Sequence, residues 1–241
     1  YCIFEIIKKE FGYDFKKFKY FAGHSLGEYS ALACLGSISF EDTLKILQRR
    51  GKFMQEAVPS GEGAMLAVLG MASKELDKIL EMNSKKYECF IANDNSNLQV
   101  VVSGLKKDIN LLSDDLNNKK VKNLKLNVSA PFHCKYMKTA SEKMTNYIND
   151  LKMNELKRPI ISNVTANETS SSKEIKSLLI SQIERKVRWL ESVEYMINNG
   201  VENFVEIGPG KVLSGLIKRI NKSVIVNSIN SEEDIKLLIN D

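Results

Sequence analysis

The sequence predicts an α/β protein built in two parts, and three observations carry that expectation. Strand-like and helix-like segments alternate along most of the 241 residues. A different order, β-α-β-β-α-β, occupies the middle of the chain, and a Gly-x-Ser-x-Gly run stands between a short apolar strand and a helix. Strands alternating with helices imply a parallel sheet covered on both faces, and the central order is that of a ferredoxin-like unit. The expected fold is a large parallel-sheet, hydrolase-like domain over 1–61 and 129–241, with an inserted ferredoxin-like small domain over 62–128.

Each element has a local reason. Tyr1 to Lys9 mix apolar and charged positions as a helix does. Lys19 to Ala22 read as a short strand ending at Gly23, and Leu26 to Leu35 as a helix closed by Gly36. Phe40 to Glu56 read as a helix, because Leu44, Leu47 and Gln48 recur near helical spacing and Pro59 lies just beyond. In the small domain, Ala64–Leu69, Glu88–Ala92, Leu98–Val102 and Val121–Val128 read as strands. Ser73–Glu81, with Ser73 as its cap, and Leu105–Leu116 read as helices. Beyond it, Ala140–Leu151, Ser171–Gln182, Trp189–Asn198 and Val212–Ile220 read as helices, and Ile160–Asn163, Phe204–Ile207 and Val224–Asn227 as strands. The strand before Ser25 belongs at the centre of a sheet, yet only one helix precedes it. A central strand without neighbours leaves open edges, so a further segment is expected upstream of Tyr1.

Composition narrows the class. With 43% hydrophobic and 27% charged residues the chain is globular rather than disordered. Its net charge of +5 is too diffuse to indicate a nucleic-acid partner. Cys2, Cys34, Cys89 and Cys134 form no CxxC pair, and the chain has only two histidines, so neither a disulfide framework nor a metal site is expected. That points to a reducing compartment: cytoplasm, or plastid or mitochondrion in a eukaryote. No apolar stretch reaches the roughly 20 residues of a membrane span, and no membrane partner is expected.

The strongest local signal is Gly23-His24-Ser25-Leu26-Gly27. Small residues two positions either side of a serine permit a tight turn that projects its hydroxyl. The helix starting near Leu26 points free N–H groups and its positive end at an oxyanion formed on Ser25. The bland alternative is an ordinary turn. A serine nucleophile needs a base, and only His24 and His133 offer imidazole. His24 adjoins Ser25 and should point away from the hydroxyl, into packing. His133 lies in Ala130-Pro131-Phe132-His133-Cys134, where the small domain returns to the large one, a place where loops line a cleft. A lone histidine is often structural, but here it has no rival as base. Hydrolases with this motif follow the order Ser, acid, His, with the histidine late in the chain. Nothing after His133 is a histidine, which favours a Ser–His pair oriented by a backbone or amide oxygen.

At this point the chain resembles the malonyl-CoA:acyl carrier protein transacylase family. Ala22-Gly23-His24-Ser25-Leu26-Gly27-Glu28-Tyr29 is similar to its nucleophile segment. Arg50-Gly51, Met54-Gln55 and Gly63-Ala64-Met65 resemble the next block, and Pro131-Phe132-His133 the histidine block. Gln182, Val187-Arg188-Trp189 and Glu206 to Leu213 resemble the C-terminal blocks. The resemblance implies a Ser25 acyl-enzyme activated by His133, with Gln182 giving a main-chain carbonyl to the histidine and Leu26 one oxyanion N–H. It implies that Arg50 binds the acyl carboxylate, although Arg49 and Arg50 alone read equally as helix surface. A planar guanidinium suits both carboxylate oxygens. Phe132 is implied to narrow the acyl pocket. Asn93 and Asn95 resemble small-domain asparagines that line the cleft, against the plain reading as turn residues.

The family has an upstream glycine-glutamine loop giving a second oxyanion N–H, and no such loop precedes Phe21. The implied substrate is malonyl-CoA, with no tightly bound cofactor, and the implied acceptor is acyl carrier protein, met by a monomer in fatty acid biosynthesis. Arg185, Lys186, Arg188, Lys211, Lys218 and Arg219 are candidates for the acceptor's landing surface, or else solvated helix faces. Two other classes remain in view: a serine thioesterase or hydrolase, and a catalytically impaired carrier-protein-binding module.

Overall fold

The computed structural model of the protein describes residues 1–240. Helix α1 (Cys2–Lys9) is followed by α2 (Leu26–Cys34) and α3 (Phe40–Gln55). α2 stops where expected. Gly36, with φ 70°, donates to Ala33 O at 3.0 Å while Ser37 N–H donates to Leu32 O at 3.0 Å, the paired bonds of a Schellman end. α3 starts on Ser39, whose side chain accepts from Asp42 N–H at 3.0 Å.

The middle of the chain forms β1 (Gly63–Leu69), α4 (Ser73–Met82), β2 (Cys89–Ser96), β3 (Gln99–Leu105), α5 (Lys106–Asn118) and β4 (Asn123–Lys125). The strands make one antiparallel sheet in the order β2-β3-β1-β4, which is the ferredoxin-like topology the sequence predicts. Alternation along β1 sends Leu66 and Val68 to one face, packed with Leu76, Leu112 and Leu116 from α4 and α5. Met65 and Ala67 go to the other face, with Ala92, Val101 and the ring of Phe132. Both faces are covered, so the strands read as nearly continuous apolar runs. Three local expectations fail here. Ala72, not Ser73, precedes the first helical residue of α4 and leaves that end without a side-chain cap. β2 runs on to Ser96 through two register shifts against β3. β4 is three residues long, Asn123 to Lys125 being the residues that stand in register with β1.

The rest comprises α6 (Lys138–Asn149), β5 (Ile160–Ile161), β6 (Glu168–Thr169), α7 (Ser172–Glu184), α8 (Trp189–Asn198), β7 (Asn203–Ile207), α9 (Val212–Ile220), β8 (Ile225–Ile229) and α10 (Glu232–Asn240). β7 and β8 pair in parallel, and Phe21 makes a single parallel bridge to Ile160. The α/β class holds. The parallel sheet, however, is in pieces, and the expected strand Lys19–Ala22 is reduced to that one bridge. A cavity of about 1060 Å³ opens between the Phe21 segment and β7, lined by Phe4, Phe15, Phe21, Gly23 and Phe204 among others. The main core lies among α2, α3, α6 and α7, where Tyr29, Leu32, Ile46, Met144 and Leu179 are buried. No described helix is long and apolar enough to cross a membrane.

Two contacts tie the four-stranded sheet to the segment that carries His133. Ser103 Oγ donates to Phe132 O at 2.5 Å, and Gly63 presses against Pro131. A methyl on Gly63 would lie 2.2 Å from Pro131 Cδ and 2.9 Å from Ala130 Cα, neither of which is the free end of a side chain. Gly63→Ala is therefore expected to destabilise the protein by about 2 kcal/mol through overpacking. Urea unfolding checks this, the midpoint falling at unchanged slope.

Candidate active site

Ser25 sits where the Phe21 segment turns into α2, with φ 52° and ψ −106°, a backbone conformation that residues with a side chain rarely adopt. Asn163, just beyond β5, holds the turn from both sides. Ser25 N–H donates to Asn163 Oδ1 at 2.7 Å, and Asn163 Nδ2 donates to Gly23 O at 2.8 Å. Gly23 is dictated by space, since a Cβ there would lie 2.0 Å from the Gly27 carbonyl carbon. Gly27 has open space around it, so only the first of the two motif glycines is needed for the close approach. Leu26 N–H, at the mouth of α2, donates to no protein acceptor among the described residues.

His133 is buried at 5% exposure and has φ 59°. Its Nε2 lies 2.8 Å from Ser25 Oγ, and its Nδ1 lies 2.8 Å from the main-chain oxygen of Gln182 on α7. A carbonyl oxygen only accepts, so Nδ1 carries the proton and Nε2 presents its lone pair. The Ser25 hydroxyl then donates to Nε2, the direction a general base requires. Burial, reinforced by the nearby Arg50 charge, pushes the His133 pKa down to about 3. The imidazole is neutral at ordinary pH.

Arg50 projects from α3 into the same place, with 6% exposure. Its Nη2 donates to Ser25 Oγ at 2.9 Å and to Gln182 Oε1 at 3.1 Å, and its buried Nε–H has no partner. Burial lowers its pKa, yet a guanidinium remains charged. Beside it, Arg49 is exposed and lies over the Tyr147 ring at 4.2 Å.

The other expected residues divide. His24 turns away from the hydroxyl, its Nε2 2.9 Å from Asn95 Oδ1 and its ring 5.7 Å from that of Trp189. Asn93 joins the sheet to Val187 through a parallel bridge. Phe132 packs between the helical core and the inner sheet face. Four of the six landing-surface cations have internal partners, Lys186 among them through an ion pair to Asp94 at 4.0 Å. Arg188 donates to Glu191, Val164 O and Thr165 O; Lys218 donates to Val224 O; and Arg219 donates to Gln99. They are not freely solvated charges.

Two buried residues that the sequence reading did not single out complete the arrangement: Asn163 and Glu28, at 1% and 2% exposure. Glu28 Oε2 accepts from Gln182 Nε2 at 2.6 Å and from Asn163 N–H at 3.3 Å. Burial pushes its carboxyl up to about 7, against the pull of those bonds and of Arg50.

Ser25 Oγ, the His133 imidazole, the Gln182 carbonyl and the Arg50 guanidinium thus form one connected arrangement at the mouth of α2. The acyl transferase domain model matches residues 14–239, and the chain belongs to that family. It is 41% identical over 220 residues to the malonyl CoA-acyl carrier protein transacylase of Bacillus subtilis (strain 168), covering 90% of this chain and 69% of that protein. Among solved structures it resembles an acyl-carrier-protein-S-malonyltransferase from Bartonella henselae, with TM-score 0.95 and 38% identity, over 99% of this chain and 76% of that one. It is also similar to a malonyl-transacylase in complex with its type II PKS acyl-carrier protein, with TM-score 0.94 and 34% identity, over 99% and 77% of the two chains.

The neutral, buried state of His133 has a measurable cost in acid. Its folded pKa of about 3 lies below the ordinary 6.5, so from pH 6.5 downward the unfolded chain takes up a proton that the folded one refuses. Stability tied to His133 is present above pH 6.5 and is lost as pH falls toward 3. Between pH 8 and pH 5 the protein should lose about 2 kcal/mol more than a His133→Gln variant. Urea unfolding of both proteins at the two pH values checks it.

Proposed function

We propose that this protein transfers a malonyl group from malonyl-CoA to the phosphopantetheine thiol of acyl carrier protein, through an ester on Ser25, in fatty acid biosynthesis. The observation that carries the reading is the shared hydroxyl: Ser25 Oγ lies 2.8 Å from His133 Nε2 and 2.9 Å from Arg50 Nη2. A base and a cation converge on one nucleophile.

The reaction runs in two halves. His133 Nε2 takes the Ser25 proton as Oγ attacks the thioester carbonyl, and Leu26 N–H stands at the helix mouth to receive the oxyanion. Collapse expels the CoA sulfur, which takes the proton from the imidazolium. The acceptor thiol then gives its proton to Nε2, attacks the Ser25 ester and leaves with the malonyl group, the proton returning to Ser25 Oγ. Gln182 O holds the imidazolium through Nδ1–H in each half. Arg50 receives the free carboxylate, and its unpartnered Nε–H supplies a donor that an incoming carboxylate oxygen satisfies. One chain provides every group named, so the reading takes a monomer as the working unit. It takes the thioester as sufficiently activated to need no tightly bound cofactor.

The hydrolase alternative requires a carboxylate at His133 Nδ1, where the atom present is the Gln182 carbonyl. The acceptor protein is read from the relatives' names and from the fold they share. The exposed basic residues Arg185 and Lys211 are the freer members of the proposed landing surface.

Incubation with malonyl-CoA should add one malonyl group to Ser25, seen by intact mass, and Ser25→Ala should abolish it. Equal labelling of the alanine variant would sink the reading. Arg50→Ala should lower malonyl transfer by about a hundredfold or more while touching acetyl transfer far less. Equal losses with both thioesters would remove the carboxylate role from Arg50.

A further inference from the structure

Glu28 occupies the first turn of α2, three residues after Ser25, and a carboxylate is among the side chains least often buried. Its surroundings explain its presence. Each polar group of Gln182 is committed to the centre. The main-chain oxygen accepts from His133 Nδ1, and Oε1 accepts from Arg50 Nη2. The two hydrogens on Nε2 go to Ser25 O at 3.0 Å and to Glu28 Oε2 at 2.6 Å.

A glutamine amide can turn over about its last torsion, exchanging oxygen for nitrogen. In the reversed orientation its NH₂ would face the Arg50 guanidinium, donor against donor. Its oxygen would face the Glu28 carboxylate, acceptor against acceptor. The acceptors at Glu28 and at the Ser25 carbonyl together select the observed orientation, Glu28 through the shorter bond, and with it the direction in which Gln182 Oε1 holds Arg50. Glu28 also takes the Asn163 main-chain N–H at 3.3 Å, and Asn163 is the residue that clamps the Ser25 turn.

We propose that Glu28 is a positioning residue which, by fixing the Gln182 amide, aims Arg50 at the acyl carboxylate and so sets the preference for carboxylated over plain acyl groups. It touches neither substrate nor reacting atom. The inference rests on the malonyl-transfer reading above.

Its test compares single-turnover acylation of Ser25 by malonyl-CoA and acetyl-CoA in the wild type and in Glu28→Met, Glu28→Gln, Gln182→Met and the Glu28→Met/Gln182→Met double variant. Methionine keeps the volume and removes the acceptor, whereas glutamine keeps an acceptor oxygen. Glu28→Met is expected to raise the concentration of malonyl-CoA for half-saturation about tenfold and to lower the malonyl-to-acetyl ratio by a similar factor. Glu28→Gln stays within about threefold of wild type, and the double variant is no worse than the poorer single one. A loss that is equal for both thioesters with half-saturation unchanged marks a merely structural role and overturns the proposal. So do an unchanged ratio in Glu28→Met, additive effects in the double variant, or a glutamine as damaging as a methionine. Should Glu28→Met fail to fold, Gln182→Met, which retains the main-chain carbonyl, must show the same selectivity loss, and an unchanged ratio there overturns the proposal. Failure of malonyl-CoA to label wild-type Ser25 would count against the proposed function rather than against Glu28.

Discussion

The bond from His133 Nδ1 to the Gln182 carbonyl is the constraint on which the centre depends. It decides which imidazole nitrogen carries the proton, and so which one faces Ser25. A carboxylate there would add a buried negative charge; a carbonyl orients the ring without one. The choice suits a centre that already holds Arg50 and Glu28 within a few bonds of each other. Every charge admitted to such a space carries a desolvation cost that only well-placed partners offset. The pKa directions tell the same story from three sides. Burial drives His133 and Arg50 down and Glu28 up, each toward its neutral form.

Gln182 is the residue through which those groups are connected. Its backbone serves the imidazole, one end of its amide serves the guanidinium, and the other serves the Ser25 carbonyl and Glu28. Asn163 does comparable work for the nucleophile turn, with Oδ1 and Nδ2 on opposite sides of it. Two neutral amides thus provide much of the order in a site whose ionisable members are each penalised by burial. Their position follows from the fold: Gln182 lies near the end of α7 and Asn163 just after β5, and both reach Glu28 in the first turn of α2.

How much of this the sequence discloses depends on whether the signal is local. Gly23 to Gly27 is local, because a tight turn leaves its mark in the spacing of small residues, and the turn that presents Ser25 could be read from it. His133 followed by elimination, there being one other imidazole. The ferredoxin-like sheet was legible from element order alone, since βαββαβ permits few packings. Glu28 and Asn163 were not singled out for a physical reason. A glutamate in the first turn of a helix is what any solvated helix offers, and an asparagine after a short strand is what any turn offers. Their roles arise from residues more than 130 positions away, as the Glu28–Gln182 bond illustrates. The same reasoning covers the strand errors. Lys19–Ala22 has strand character, but a ladder needs a partner, and only Phe21 finds one. β6 and α10 went unpredicted, the first too short to show alternation.

Ser103 and Gly63 grip the chain on either side of Pro131, so the imidazole hangs from the antiparallel sheet while the hydroxyl and the guanidinium belong to the helices α2 and α3. Ser25 and His133 therefore meet with one of them tied to the sheet and the other to the helices. Phe132 packs against both cores and Gln182 O holds the ring from α7, so the imidazole is moored to sheet and helices at once, and any shift of one against the other is felt at the Ser–His bond.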